Sequence, residues 1–188
     1  MKALAVLGSP RKEGNCAVLL QHFLQGMRDS GDHQIQEAFL QQLSISPCRN
    51  CDSCRRKMDR YCVIADDMQQ LYGAFVEAEV VILATPIYWW SISGQLKLFI
   101  DRLYGLNADA NPLFFKGKKL VLILTHYDKL PCSGAQIALK MFEEIADYTK
   151  MQIAGVLQYS SGEKHVRESA EKLEEARALG KDLGGKTN

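Results

Sequence analysis

The chain has 188 residues, of which 47% are apolar and 24% charged, so it is long enough to bury the core of one globular domain. Its formal net charge of +1 gives no basic excess for binding nucleic acid and no charge block typical of a disordered tail. The apolar runs are too short to span a bilayer or to act as a signal peptide, so we expect a cytoplasmic protein with no membrane or nucleic-acid partner.

Short apolar runs alternate with longer amphipathic segments along residues 1–188, which we interpret as a single domain. The apolar runs predict five strands, at residues 2–7, 34–40, 80–85, 119–125 and 151–159. The amphipathic segments predict five helices, at residues 15–30, 66–78, 95–104, 135–149 and 163–183. Because the strands are apolar throughout and are joined by helices, the pattern predicts an α/β fold: a doubly wound parallel sheet with helices on both faces.

The segment between the first strand and the first helix has the composition of an anion site. Residues 8–15 read Gly-Ser-Pro-Arg-Lys-Glu-Gly-Asn, and we call them the phosphate loop. Ser9, Arg11 and Asn15 offer polar groups, while Gly14 lets the backbone approach a ligand and the helix N-terminus favours negative charge. The loop lacks both the Lys-Ser/Thr of a nucleoside triphosphate loop and the G-x-G-x-x-G spacing of a dinucleotide fold, so it favours a mononucleotide phosphate.

An irregular stretch at residues 44–65, the cysteine loop, follows the second strand and contains four of the six cysteines. These four are Cys48, Cys51, Cys54 and Cys62. Four thiolates so close in sequence can ligate a [4Fe–4S] cluster or a zinc ion. Free thiols, or a redox disulfide between two of the four at a time, are the alternative that we keep open.

A second ligand segment follows the third strand. We expect Pro86 to end that strand and residues 86–94 to form a loop at the sheet edge where ligands bind. Tyr88, Trp89 and Trp90 would give this loop an aromatic wall suited to a flavin ring, with backbone amides near the ring's polar atoms. The alternative is that either tryptophan is a core or dimer anchor.

On these residues the chain resembles the NADPH-dependent FMN reductase and iron–sulfur flavoprotein group of the flavodoxin-like superfamily. The phosphate loop matches the group's opening G-S-P-R-x-x-G-N, with Cys16 where a hydroxyl is commoner. The cysteine spacing C-x2-C-x2-C-x7-C fits the long end of the range in the group. The later motif matches at Thr85, Pro86, Tyr88, Ser93, Lys97, Asp101 and Arg102. We expect Asp101 and Arg102 to cap structure or to lie at a subunit interface.

The resemblance implies a five-stranded flavodoxin-like sheet of order 2-1-3-4-5, bound FMN, NAD(P)H as co-substrate, and a homodimer or homotetramer. It implies flavin contacts from Ser9, Arg11, Gly14, Asn15, Cys16, Pro86, Ile87, Tyr88, Trp89, Trp90, Ser91, Thr125 and His126. At Thr125-His126 the group commonly has Thr-Gly-Gly, so His126 either faces the flavin ring or is a loop histidine with its hydrogen bonds satisfied.

Three functional hypotheses follow. The first is an FMN-dependent oxidoreductase that passes electrons from NAD(P)H through the flavin to a quinone, a free flavin or another small acceptor; no side chain acts as a catalyst, because the flavin carries the chemistry. The second is an iron–sulfur flavoprotein that carries FMN and a [4Fe–4S] cluster in electron transfer. The third is a binding module that has lost its enzymatic role.

Overall fold

A parallel sheet forms the centre of the computed structural model, which describes residues 1–56, 61–106, 112–129, 131 and 133–185. The strands are β1 (Lys2–Leu7), β2 (Gln34–Phe39), β3 (Val80–Tyr88), β4 (Ser91–Ile92), β5 (Lys119–His126) and β6 (Gln152–Ser160). Five of them run parallel in the order β2-β1-β3-β5-β6, and the short β4 pairs antiparallel with β3. This confirms the predicted flavodoxin-like sheet; the order 2-1-3-4-5 holds once the unpredicted β4 is left out of the count.

Helices cover both faces of the sheet, as predicted. They are α1 (Asn15–Ser30), α2 (Met68–Glu77), α3 (Gly94–Arg102), α4 (Ala135–Thr149) and α5 (Ala170–Gly185). One buried cluster joins α1 and α5 to the alternate strand residues Ala5 and Ile82. The other joins α2, α3 and α4 to Leu4 and Val81, because successive strand side chains point to opposite faces. No helix in the described ranges is long and apolar enough to cross a membrane.

The expectation that Pro86 ends β3 was wrong. The strand runs on to Tyr88, and Pro86 stays in register with Thr125 of β5. The oxygen of Ala84 accepts a hydrogen bond from Gly8 N, so Ala84 faces β1, and by alternation Pro86 faces the same side. Because the pairing of β1 with β3 ends at Ala84, the missing N–H of Pro86 removes no bond from the sheet.

Two predicted helix starts were also wrong. Helix α2 begins at Met68, whose N–H donates to Oδ1 of Asp66, so Asp66 precedes the helix; the carboxylates of Asp66 and Asp67 also accept hydrogen bonds from the backbone N–H groups of Ser46 and Ser44. Helix α5 begins at Ala170 because residues 165–168 form a separate short 3-10 turn with its own capping box. Residues 57–60 of the cysteine loop, Cys132 and the last three residues lie outside the described residues.

Candidate functional site

The phosphate loop is held in place by bonds to other parts of the sheet edge. Gly8 N donates to Ala84 O at 2.8 Å, and the hydroxyl of Ser93, the N-cap of α3, donates to Gly8 O at 2.6 Å. A Cβ at Gly8 would lie only 2.8 Å from Cβ of Leu96. Glycine is therefore required because the loop packs directly against the first turn of α3. Sequence reasoning noted Ser93 in a motif but missed this role, although serine before a helix is a typical N-cap signal.

The N-terminus of α1 gives the loop its donors. Gly14 O accepts the first helical hydrogen bond, from Val18 N at 3.0 Å, so the N–H groups of residues 15–17 have no partner in the helical ladder. Ser9 is 2% exposed, and its Oγ accepts from Arg11 N at 3.2 Å. The Arg11 side chain folds back over the loop, since a Cβ at Gly14 would lie 3.4 Å from Arg11 Nε. A cation, free amides and the helix dipole thus converge at one point, which is suited to a phosphate monoester.

The side chains of Asn15 and Cys16 are already engaged inside the protein. Asn15 Oδ1 accepts from Val166 N at 2.9 Å, and Cys16 Sγ lies 2.9 Å from Oγ1 of Thr125. Burial raises the pKa of the Cys16 thiol to about 11, although the hydrogen bond with Thr125 opposes the shift. Both side chains therefore fasten α1 to the end of β5 and to the segment after β6, and their predicted contact with a flavin remains a prediction.

Two tryptophans form the turn between β3 and β4, which we call the aromatic turn (residues 88–91). Tyr88 pairs with Ser91 across the hairpin, and Trp89 and Trp90 have φ values of 48° and 59°. Two central residues with positive φ are typical of a type I′ turn, where Asn-Gly is the usual sequence, and each side chain there costs about 1–2 kcal/mol. Trp89 is 90% exposed and Trp90 55% exposed, so core packing does not explain why this strain is kept.

The loop between β5 and α4 packs against the backbone of the aromatic turn. Gly134 has φ 76°, and a Cβ there would lie 2.6 Å from Cα of Trp90. Sequence reasoning missed Gly134, because nothing in the local pattern indicates which distant backbone it meets. The predicted flavin residues Pro86 and Ile87, in β3, and Ser91, in β4, lie in this same hairpin.

His126 ends β5 and is buried. Its Nδ1 lies 2.7 Å from Asp128 O, and since a carbonyl oxygen only accepts, Nδ1 carries the proton. Its buried Nε2 has no hydrogen-bond partner within the described ranges. One ring nitrogen is therefore satisfied and the other is not, and the predicted choice between a flavin contact and a satisfied loop histidine stays open.

The four thiols of the cysteine loop line one small cavity beside the C-terminal end of α3. All four are free thiols; Cys48 and Cys51 are exposed, whereas Cys54 and Cys62 are half-buried. Burial raises the pKa of Cys54, and the negative charge of the neighbouring thiolates raises it further.

The donor set of this cavity consists of four thiols, which is the ligand set of a [4Fe–4S] cluster. Zinc with four sulfur ligands uses the same set and stays open as an alternative. In the described part of the chain no three His, Cys, Asp or Glu side chains are already arranged to hold a metal ion.

Beneath the cysteine loop lies a buried ion pair. Arg102 is 1% exposed and donates to both carboxylate oxygens of Asp66, at 2.6 and 3.1 Å, and to Ser46 O at 2.8 Å. Burial alone would lower the pKa of Arg102, but the bond to Asp66, with Tyr72 and Cys62 nearby, raises it. Likewise burial would raise the pKa of Asp66, but Arg102 lowers it. Arg102 is thus part of the core, whereas Asp101 forms an exposed pair with Lys97.

Comparison with known proteins identifies relatives among FMN reductases and iron–sulfur flavoproteins. The model of the family described as NADPH-dependent FMN reductase matches residues 1–166. An iron-sulfur flavoprotein of Archaeoglobus fulgidus is 38% identical over 103 residues, 55% of this chain and 46% of its own length. One of Methanosarcina thermophila is 33% identical over 102 residues, 54% and 52% of the two chains. The chain therefore spans about half the length of these curated relatives.

Solved structures support the fold. An FMN-dependent NADH-azoreductase of Bacillus anthracis, in complex with FMN, superposes with a TM-score of 0.76, covering 98% of this chain and 100% of that one. Its sequence identity is 12%, so the likeness bears on the fold alone.

Proposed function

Because the chain belongs to the NADPH-dependent FMN reductase family, we propose that it is an FMN-dependent oxidoreductase that passes electrons from NAD(P)H to a quinone, a free flavin or another small acceptor. The observation that carries this proposal is the phosphate loop, where unpaired helix amides, the buried Ser9 and the folded-back Arg11 converge. FMN, when bound, supplies the redox chemistry, and the protein binds and orients it.

The chain's own residues divide this work between two ends of the flavin. The N–H groups of residues 15–17, with Ser9 and Arg11, would hold the phosphate. The aromatic turn lies at the same sheet edge, since the preceding strand β3 pairs with β1 and Gly8 bonds directly to Ala84. Its backbone N–H groups and exposed rings would hold the isoalloxazine, and Thr125 and His126, at the end of β5, would be the further contacts.

The nicotinamide needs no second dinucleotide fold in this arrangement. The rings of Trp89 and Trp90 are exposed, with centroids 5.9 Å apart, so they offer aromatic surface at this edge to a nicotinamide. The nicotinamide and the small acceptor would use this surface in turn, and FMN, when bound, would supply the electron transfer between them.

The test is turnover by protein loaded with FMN. We expect oxidation of NADPH or NADH in the presence of a soluble quinone, measured by loss of nicotinamide absorbance. Arg11→Ala should weaken FMN binding, whereas Lys12→Ala removes the neighbouring exposed cation and should leave it nearly unchanged. Loaded protein that oxidises neither nicotinamide would refute the proposal.

A second candidate function is favoured by the shared cavity of the four thiols: an iron–sulfur flavoprotein that carries FMN and a [4Fe–4S] cluster. Cys48, Cys51, Cys54 and Cys62 would hold the cluster, which supplies one-electron transfer when bound. We expect anaerobically purified protein to contain iron and acid-labile sulfide. Cys54→Ser should lose both, and the same substitution outside the loop, Cys16→Ser, should retain them. Absence of iron and sulfide from the unmodified protein would refute this candidate.

We propose further that residues 1–188 form one domain, that it works in the cytoplasm, and that it assembles as a homodimer or homotetramer. One sheet runs through the chain from β1 to β6, and all five described cysteines are free thiols, as suits a reducing compartment. The exposed Trp89, Leu113 and Tyr127 provide apolar surface for a partner copy. Light scattering after gel filtration would contradict the assembly if it gave a monomer mass of 21.1 kDa.

A further inference from the structure

Helix α3 connects the two candidate sites. Its N-cap Ser93 holds Gly8 of the phosphate loop, and its last residue, Arg102, lines the cavity of the four cysteines. With a rise of about 1.5 Å per residue, the nine residues of α3 separate the two ends by roughly 14 Å. Arg102 is therefore fixed beside one site by the same helix that shapes the other.

Contacts outside the cysteine cavity fix the position of Arg102. The guanidinium is clamped by Asp66 and Ser46, and its own backbone oxygen accepts from Tyr72 Oη at 2.8 Å. On the outer side of the cavity, by contrast, Cys48 and Cys51 are exposed. A group that enters the cavity thus meets a rigid base and an exposed rim.

The charge of the buried pair is arranged with its positive end toward the thiols. Arg102 lines the cavity, whereas Asp66 is not among the lining residues. Asp66 accepts hydrogen bonds from the two terminal nitrogens of Arg102. The buried Nε of Arg102 has no hydrogen-bond partner within the part of the chain that the structure describes. A buried N–H without a partner is costly, and a sulfur ligand would accept it.

These observations concern a group with a large negative charge. Four thiolates bring four negative charges to the cavity, the oxidised core of a [4Fe–4S] cluster would offset two of them, and one-electron reduction would add another. The potential of an iron–sulfur cluster rises when nearby positive charge and hydrogen bonds to its sulfurs stabilise the reduced form. The buried Arg102 is screened from solvent far less than the surface cations of the loop.

We propose that Arg102 is a positioning and tuning residue for the cysteine site: its cation and its spare Nε–H raise the midpoint potential of the cluster held there. The inference rests on the second candidate function, the cluster, and not on NAD(P)H oxidation by FMN. Arg102 takes no part in ligation, so its removal is expected to change the potential of the cluster more than its occupancy.

The test is a redox titration of the cluster followed by its electron paramagnetic resonance signal. Removing Arg102 alone would leave Asp66 buried and unpaired, so the main variant is Arg102→Gln with Asp66→Asn. A second variant, Arg102→Lys, keeps the charge but loses the Nε–H. Lys97→Gln is the matched control, because it removes an exposed cation from the same helix.

We expect the double variant to lower the equilibrium constant for one-electron reduction at least tenfold, a shift of about 59 mV toward negative potential. Arg102→Lys should shift it in the same direction by less, and Lys97→Gln by less than threefold. Unchanged potential in both Arg102 variants with iron retained would show a purely structural role and overturn the inference, as would absence of iron from the unmodified protein. FMN content and NAD(P)H oxidation by the same preparation report separately on the main proposed function.

Discussion

The phosphate loop and the cysteine loop are built in opposite ways. In the first, Gly8, Asn15 and Cys16 bond to three separate parts of the fold: the β3–α3 region, the segment after β6, and the end of β5. In the second, residues 47–52 are all exposed. Asp66 and Asp67 bond to the other end of the loop, and its middle is held by an exposed hydrogen bond from Arg55 Nε to Tyr104 Oη at 2.7 Å.

The difference indicates how each site meets its ligand. A loop fastened by tertiary hydrogen bonds is preorganised, so little of the binding free energy is lost in ordering it. A loop held at its base and by exposed surface contacts gains further order from its ligand, and part of the binding free energy becomes stability of the loop. The predictions that follow test the base of the cysteine loop and the packing of the flavin site.

The largest effect is expected at the base of the cysteine loop. Asp66→Asn should lower the free energy of unfolding by about 3–5 kcal/mol at pH 7, because it leaves Arg102 charged and buried. Asp66 is 7% exposed at the side chain, and Asp101→Asn, in an exposed pair on α3, is the control with an expected loss of about 0.3–0.5 kcal/mol. Urea unfolding at pH 7 measures both; equal losses would contradict a special role for the base.

The same pair predicts a pH dependence. Arg102 lowers the pKa of Asp66 below its unfolded value of about 3.9, so the stabilisation is fully present above that pH and is lost as the pH falls through the lower folded pKa. The stability difference between the unmodified protein and Asp66→Asn should therefore shrink below about pH 4. A difference that stays constant down to pH 2 would rule out the ionised pair.

A smaller effect is expected where the phosphate loop meets α3. Gly8→Ala places a Cβ 2.8 Å from that of Leu96, and overpacking of this kind costs about 1–3 kcal/mol. It should also weaken FMN binding by moving the loop. Gly94→Ala, at the start of α3 with no atom within 4 Å of the new Cβ, should do neither. Denaturation and FMN titration of both variants measure these effects. If Gly8→Ala behaved like Gly94→Ala, the close packing of the phosphate loop against α3 would be contradicted.

The strained aromatic turn predicts a gain in stability. Trp90→Gly and Trp90→Ala both remove the ring, but only glycine relieves the φ of 59°. The glycine variant should therefore be more stable than the alanine variant by about 1 kcal/mol. The comparison uses the same denaturation assay, and an alanine variant that is as stable as the glycine variant would mean that the turn is not strained.

Much of the fold could be predicted because it depends on local periodicity. The buried strands and α1 have the predicted bounds to within a few residues, and alternation of apolar and amphipathic segments gave the topology. The aromatic turn could not be predicted, since Trp89 and Trp90 contradict the Asn-Gly rule for type I′ turns, and Pro86 is tolerated only because its neighbour β1 has ended.

Prediction of the two candidate sites from the sequence was limited in the same way as prediction of the fold. The glycines of the phosphate loop and the cysteines of the cysteine loop identified both loops as candidate sites, because these residue types at these spacings are typical of ligand-binding loops. The partners that fix the loops are distant in sequence: Arg102 lies 36 residues from Asp66, and Ser93 lies 85 residues from Gly8. Pairings at such separation leave no periodic signal in a single sequence, so only the fold reveals them.

The most direct test of the central claim, that the phosphate loop binds a flavin mononucleotide, is a comparison of FMN with riboflavin by fluorescence titration of the flavin-free protein. The two ligands share the ring and differ only in the phosphate. If the loop holds the phosphate, FMN binds at least a hundredfold more tightly than riboflavin, about 2.7 kcal/mol, and Arg11→Ala reduces that ratio. Equal affinity for the two ligands, unchanged by Arg11→Ala, would contradict it.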